Sequence, residues 1–416
     1  MTFLLLAVLS NLTLNHEVGL GADYTNQTYG IIDYDTIRNP DVWDTLDVES
    51  EARGFWNLDL DAEKGGTRFT LGNDASISTR SVREALNLTF GQDLLPGARL
   101  EFADDAEVRY YHRALPQLAD TGFQKNYLSN TSELALDLDL SEALTLSASE
   151  ELQLFHYPEP DSYNYDYLLN RAGAGAHQEL GGISSLDLAY EWARRWAAAA
   201  DGQDYVEHNL DTDLDLYFDL GPRVNLTNTV GRRRYPEASR SYWEELLGVH
   251  FAVDVGSAVE LSLDDEPRWT WYDAPTAVYS NLFENSLKLA VEWRATTELS
   301  FRAGPQHDAG WGLPTASSDD YRELSAFAGI DYMKLDRLWF SVEDRLGLRL
   351  YPLADSSFQS NYLFNEFNLM VNWTIFKTAQ SELLLNGMAV ISPEWHADKS
   401  SDLSTRIFTL ELKYGL

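Results

Sequence analysis

The chain has 416 residues, no cysteine and a formal net charge of −35. The lack of cysteine excludes disulfides and thiolate metal sites, and the negative charge argues against nucleic acid as a partner, because phosphate would be repelled. No run of about eighteen apolar residues is present that would make a membrane-spanning helix. The acidity is also typical of proteins from a saline habitat, so function and habitat both remain open as its cause.

The first ten residues, MTFLLLAVLS, are similar to the apolar core of a secretory signal peptide. They lack a basic region before that core and a small-residue cleavage site after it. Residues 1–10 are therefore interpreted as a signal-peptide remnant or as the beginning of the first strand. No linker or change in composition follows, which predicts one domain over residues 11–416.

Residues 28–50 form the longest interval without strand alternation. The interval carries six large apolar or aromatic side chains, including Trp43 and Leu46, that need burial somewhere. We expect a long loop that folds into the interior of the domain. An exposed surface loop or an undetected pair of strands is the alternative.

From Ala52 to the last residue, about twenty segments alternate apolar and polar residues. The segment from Leu210 to Leu220 is the clearest, with aspartate at most odd positions and apolar residues at most even ones. Because successive side chains of a strand point to opposite faces, each segment would have one apolar and one charged face. This rhythm predicts antiparallel strands throughout.

The breaks between segments are alternately short and long, and the short ones have the residue types of tight hairpins. The short breaks lie at 64–66, 95–97, 141–143, 181–182, 221–223, 256–258, 295–297, 334–337 and 378–380. The long breaks lie at 28–51, 78–82, 113–122, 157–166, 197–204, 235–241, 273–277, 310–320, 352–357 and 393–403. A soluble propeller or β-helix would show a repeat of fixed period, and only a loose recurrence is present.

The last segment places apolar residues at every second position up to the end of the chain, namely at Phe408, Leu410, Leu412, Tyr414 and Leu416. This pattern resembles the terminal strand by which outer-membrane β-barrels are recognised for assembly, although Leu replaces the usual final Phe. With the alternating rhythm, it makes the chain similar to Gram-negative porin-like outer-membrane proteins as a class.

The resemblance implies an all-β fold: a transmembrane antiparallel up-and-down β-barrel of about 20 strands, within a range of 18–22. It implies short turns and both chain ends on the periplasmic side, and longer loops outside. The implied partners are outer-membrane lipids, the barrel-assembly machinery and either a homo-oligomer or an envelope partner protein.

If the alternation is followed strand by strand, the polar face would line the lumen of the barrel. Near the short turns this face is acidic, at Asp59, Asp61, Asp137, Asp139, Asp213, Asp215, Asp254, Glu260 and Asp264. Nearer the long loops it carries arginine, at Arg109, Arg195, Arg233, Arg268, Arg302, Arg345 and Arg349. These charges form either a solute-selecting field or cross-strand ion-pair ladders that stiffen the wall.

Tryptophan and tyrosine favour the headgroup level of a membrane, because one end of the ring can hydrogen-bond. We assign an outer aromatic girdle to seven tryptophans near the long loops, at Trp192, Trp196, Trp269, Trp271, Trp293, Trp311 and Trp395. The alternative is that they are core aromatics of a soluble sandwich.

The sequence contains no H-E-x-x-H or G-x-S-x-G pattern and no phosphate-binding glycine loop. We therefore expect no catalytic residue, no metal and no cofactor, with an outer-membrane hydrolase as the less favoured alternative. The leading hypothesis is a porin-like channel for diffusion of small hydrophilic solutes. Its rivals are an export or assembly barrel, for example for an anionic polysaccharide, and a structural sleeve around a partner protein.

Overall fold

A computed structural model gives the architecture as an antiparallel sheet without helices in its described part. It describes residues 12–28, 45–46, 51–78, 81–111, 126–160, 165–181, 183–198, 203–218, 221–276, 279–313, 320–334, 337–353, 360–378, 381–396 and 402–415, with side chains from Gly54 onward. No helix in these ranges is long and apolar enough to cross a membrane.

The strands follow one another along the chain with short turns and longer loops in alternation, except that the predicted long break at 78–82 leaves only two residues between strands. They are β1 (Leu12–Thr28), β2 (Thr45–Leu46), β3 (Glu51–Lys64), β4 (Thr67–Ser78), β5 (Ser81–Leu95), β6 (Ala98–Tyr111), β7 (Tyr127–Ser141), β8 (Leu144–His156), β9 (Tyr167–Gly181), β10 (Ser184–Ala197), β11 (Tyr205–Tyr217), β12 (Arg223–Arg234), β13 (Tyr242–Val255), β14 (Val259–Tyr272), β15 (Asn281–Arg294), β16 (Leu299–Leu313), β17 (Tyr321–Lys334), β18 (Leu338–Leu350), β19 (Tyr362–Lys377), β20 (Glu382–His396) and β21 (Leu403–Gly415).

The sheet closes on itself because β1 has a long partner on each side. Leu14 pairs with Leu60 of β3, and Leu20 pairs with Leu412 of β21. Every other long strand pairs with its neighbours in sequence. The predicted fold class is confirmed, and the twenty long strands lie within the predicted range.

The size of the barrel follows from its register. One circuit through the strand pairs returns to β1 displaced by about 24 residues. With ordinary strand spacing and rise, this stagger corresponds to a strand tilt of about 40° and a backbone diameter of about 40 Å. The tilt is that of outer-membrane barrels.

Exposure separates the two faces of the wall. On β17, Glu323, Ser325 and Phe327 are buried, whereas Leu324 and Ile330 are exposed. The concave face of a closed sheet is the occluded one, so the buried set points inward. Because directly paired residues share a face, the register extends this assignment to every strand.

Short turns and both described chain ends lie at one rim. Glycines with positive φ form the turns at Gly65, Gly66, Gly97 and Gly256, a backbone conformation that other residues rarely adopt. Leu12 pairs with Ala62 beside one short turn, and Gly415 pairs with Glu382 beside another.

Two predictions for the N-terminal region fall largely outside the described residues. Residues 1–10 are not among them. Of residues 28–50, only Thr28, Thr45 and Leu46 are described, and they join β1 to the two-residue strand β2 through the pairs Gln27–Leu46 and Thr28–Thr45.

Gly304 lies where β16 passes close to the backbone of β15. A Cβ atom at this position would be 1.8 Å from the carbonyl oxygen of Leu289, whereas at Gly387 the nearest atom would be 3.7 Å away. We expect Gly304→Val to destabilise the barrel by about 1–3 kcal/mol through overpacking, seen as a lower urea midpoint in lipid vesicles. Gly387→Val is the matched control, and equal midpoints for the two variants would contradict the expectation.

Candidate functional site

The inner wall holds the nine acidic side chains that the alternation predicts there, all in the half nearer the short turns. Several are held by polar neighbours on the same face. Asn225 donates hydrogen bonds to Asp213 (2.6 Å) and Asp215 (2.9 Å). Thr145 donates to Asp139 (2.9 Å). These carboxylates therefore have defined positions on the wall.

The register also places all seven predicted arginines on the inner face. Six lie in the half nearer the long loops. Arg302 does not, because it is the fourth residue of β16, which begins just after a short turn. Its assignment to the outer half was wrong. Inward arginines missed by the sequence reasoning also lie near short turns, at Arg68, Arg99, Arg223 and Arg294.

Most of these arginines are neutralised by carboxylates on nearby strands. Arg233 binds Glu207 at 2.7 Å, and Arg268 binds Glu244. Arg302 lies 3.1 Å from Glu343. In the described residues the ion pairs between barrel strands join strands at most two positions apart, so the charged side chains run along the wall and not across the lumen.

The densest cluster centres on Arg345. Its guanidinium contacts Asp308 at 2.7 Å, Glu366 at 3.1 Å and Glu323. Glu323 also accepts a hydrogen bond from Arg349 at 2.7 Å and is only 2% exposed. Except for Glu366, the cluster lines a recess of about 490 Å³ in the wall together with Arg268.

A row of inward aromatic rings follows the long-loop rim, and the sequence reasoning did not identify it. Its members begin or end strands, at Tyr127, Phe155, Tyr167, Tyr205, Tyr242, Tyr272, Tyr321 and Tyr362. Phe155 stacks on Tyr167 at 5.4 Å, and Tyr242 lies 5.5 Å from Tyr272. The sequence feature that could have revealed this row is an aromatic residue at a strand end, at a position that the two-residue alternation assigns to the inner face.

Arg195 joins this row at its most enclosed point. Its guanidinium lies 4.5 Å from the ring centre of Tyr205 and 5.9 Å from that of Tyr167. It also donates to the backbone carbonyl of Gln203 at 2.7 Å. Arg233 lies on the same Tyr205 ring at 4.6 Å, so two arginines share one tyrosine.

The seven predicted girdle tryptophans all face outward, and six lie near long loops. Trp293 is the exception, because it is the second-last residue of β15, immediately before a short turn. The prediction that Trp293 belongs to the outer girdle was therefore wrong. It stacks on Phe301 at 5.5 Å near the opposite rim, and Trp373 also faces outward in that half.

The terminal strand keeps Phe408, Leu410, Leu412 and Tyr414 on the outer face, where all four are exposed. Leu416 lies outside the described residues. The assembly signal stays a prediction for these residues.

Asp166, a loop residue close to the rim, has a carboxyl pKa below its usual value. The backbone N–H of Tyr157 donates to Asp166 at 2.8 Å, and His156 lies 3.0 Å away. The first of these contacts, assisted by the second, lowers the pKa of Asp166. The contact ties the 157–166 loop to the end of β8 at neutral pH.

Metal binding is not indicated by the described side chains. Among them, no group of three or more histidine, aspartate or glutamate residues is arranged to hold a metal ion. Carboxylates pair with arginine, histidine, asparagine or hydroxyl groups along the wall.

Comparison with known proteins supports the fold alone. No family model and no curated protein sequence matches the chain. Among solved structures, the FrpB iron transporter from Neisseria meningitidis (F3-3 variant) is 10% identical with a TM-score of 0.62, covering 100% of this chain and 83% of its own. The siderophore receptor PirA from Pseudomonas aeruginosa is 8% identical with a TM-score of 0.56, covering 96% and 80%.

OccK2 (OpdF) from Pseudomonas aeruginosa, solved in complex with glucuronate, is 14% identical with a TM-score of 0.51, covering 98% of this chain and 99% of its own. These proteins are outer-membrane β-barrels. They confirm the predicted resemblance to that class and agree with the predicted outer-membrane location.

Glu323 provides a test of the wall network. Replacing Glu323 with Ala removes the buried carboxylate that Arg345 and Arg349 share, so that Arg349 loses its ion-pair partner while Arg345 keeps Asp308. We expect a loss of about 3 kcal/mol in the free energy of unfolding. Glu366→Ala is the matched control, because Glu366 contacts the same Arg345 from a more exposed position, and should cost less than about 1 kcal/mol. Urea unfolding in lipid vesicles measures both, and equal losses would contradict the assignment.

Proposed function

We propose that this protein is an outer-membrane channel for diffusion of small hydrophilic solutes. The observation that carries the proposal is the closed wall, whose inner face is charged and whose ion pairs stay on the wall. A wet interior is the environment that such side chains require, since unpaired charges in a dry core are costly.

The width of the barrel supports the proposal. Side chains can fill the interior of a barrel of about eight strands, whereas barrels of sixteen to eighteen strands leave an aqueous channel. Twenty long strands enclose more space than the latter. The described wall side chains lie along the sheet and leave the centre of this space to solvent or to other parts of the chain.

The charge of the wall favours cations. On the inner face acidic residues outnumber basic ones by roughly two to one. Most of the basic residues are also held by carboxylates, and the nine acidic side chains predicted for the inner wall all lie in the short-turn half. Rings of carboxylates select cations in membrane pores.

The fold-sharing proteins include an iron transporter, a siderophore receptor and a protein bound to glucuronate, and these names support the general class of outer-membrane proteins that handle small solutes. The rival function of exporting an anionic polysaccharide finds less support, because Arg233, Arg268 and Arg302 are each paired with a carboxylate. Their joint replacement with Ser separates the two functions: it would abolish polysaccharide export and leave small-ion conductance.

Ion selectivity tests the channel directly. In a planar bilayer with a salt gradient, we expect discrete conductance steps. We also expect a reversal potential whose sign shows that cations pass more readily than anions. Joint replacement of Asp137, Asp139, Asp213 and Asp215 with Asn should move the reversal potential toward zero, because it removes four negative charges from one half of the lumen.

The control for this measurement is Glu159→Gln, which removes a charge from an exposed loop position and should leave the reversal potential unchanged. Absence of conductance in every salt would overturn the channel function. Conductance with anion preference would overturn the role of the acidic half.

A further inference from the structure

The outer face carries a repeated polar feature at mid-strand. Six hairpins whose connection lies at the rim opposite the tight glycine turns share it. In each, one strand holds an acidic residue and the other an asparagine, and the second of the two in sequence lies two residues before the direct partner of the first. In β6–β7, for example, Asp104 pairs directly with Ser132, and the asparagine is Asn130. In β8–β9, Glu150 pairs with Ala172, and the asparagine is Asn170.

The same diagonal relation recurs around the barrel. It joins Asn73 to Glu84 and Asp344 to Asn365. The β12–β13 and β14–β15 hairpins repeat it with Glu245 and Asp265 as the acids. We call these acid–asparagine pairs the outer pairs.

Four of the outer pairs are hydrogen-bonded. The asparagine amide donates to the carboxyl group over 3.1 Å from Asn130 to Asp104 and over 2.5 Å from Asn170 to Glu150. The corresponding distances are 2.7 Å from Asn365 to Asp344 and 3.3 Å from Asn73 to Glu84. Each bond links two neighbouring strands on the outer side.

The outer pairs lie in the middle of the apolar band. Asp104, Glu150 and Asp344 are each the seventh residue of their strand. On β8 the outward residues before Glu150 are Leu144, Leu146 and Ala148, and those after it include Leu152. Hydrocarbon therefore surrounds the carboxyl group above and below.

The neighbours of Asp104, Glu150 and Asp344 on the outer face of the adjacent strands are all uncharged. Asp104 faces Leu88 and Ser132 directly, and Asp344 faces Ala328 and Phe367. The diagonal positions hold apolar residues or uncharged polar ones: Leu86, Phe90, Asn130 and Leu134 around Asp104, Ser132, Leu136, Asn170 and Ala174 around Glu150, and Ala326, Ile330, Asn365 and Leu369 around Asp344. An ionised carboxylate without a counter-ion is strongly disfavoured in hydrocarbon and takes up a proton instead.

We propose that the carboxyl groups of Asp104, Glu150 and Asp344 are protonated in the membrane and form, with their asparagines, hydrogen-bonded clasps that hold neighbouring strands together on the lipid side. A protonated acid offers one donor and one acceptor, and an amide offers both in return. Folding into the bilayer therefore takes up protons from water. The proposal rests on the barrel fold and is independent of what the lumen conducts.

Infrared spectroscopy of the full-length protein in phosphatidylcholine vesicles at about pH 8 tests the protonation state. We expect a carbonyl band of protonated carboxyl groups, weakened in the outer triple variant Asp104→Asn, Glu150→Gln and Asp344→Asn. The inner triple Asp105→Asn, Glu133→Gln and Asp211→Asn is the matched control and should keep the band. Absence of the band from the wild-type protein, or its equal loss in both triples, overturns the proposal.

Refolding gives an independent readout. From urea into the same vesicles at about pH 8, the outer triple should fold about tenfold faster than wild type, because three carboxyl groups that must take up protons are absent from it. The inner triple removes the same number of carboxyl groups at the same depth and should fold at the wild-type rate. Equal acceleration of both triples would assign the effect to net charge and overturn the proposal.

Removing the amides tests the clasps themselves. Asn130→Leu, Asn170→Leu and Asn365→Leu together make the lipid-facing surface more apolar, yet we expect a lower urea midpoint because three carboxyl groups lose their partners. The control set is Ala106→Leu, Ala174→Leu and Ala326→Leu on the same face, which should leave the midpoint unchanged or raise it. A higher midpoint for the asparagine set overturns the clasps.

Discussion

Closure of the sheet is the constraint on which the other features depend. A sheet edge exposes unpaired N–H and C=O groups, which hydrocarbon cannot satisfy, so a membrane sheet must have no edge. Here β1 meets that requirement by pairing with β3 on one side and β21 on the other. Closure with antiparallel neighbours fixes an even number of long strands, places both ends at one rim and gives each side chain an inner or outer environment.

The faces of the wall were predictable because the two-residue period is a local property of each strand. Asp213 and Leu214 are neighbours in sequence and point to opposite sides. The position of a residue along the barrel axis was harder to predict from the sequence. Arg302 and Trp293 flank the same short turn, and their residue types suggested the opposite end. The charge or aromaticity of one residue does not report its distance from a turn.

The side-chain contacts that join strands could not be predicted from the sequence, because they depend on the register between distant segments. Arg345 meets Asp308 and Glu323 only after β16, β17 and β18 align. The outer pairs are a second case, since an acid in an apolar face looks like an isolated exception until its diagonal asparagine is known. The inward tyrosines had a weaker signal, which is their position at strand ends.

The central claim is that one face of each strand meets water and the other meets lipid, and the absence of native cysteine makes it directly measurable. Single cysteines are introduced by Asp213→Cys and, at the adjacent position, Leu214→Cys. In vesicles, a charged, membrane-impermeant thiol reagent should label the first variant and not the second. Equal labelling of both, or labelling of the second alone, would contradict the account.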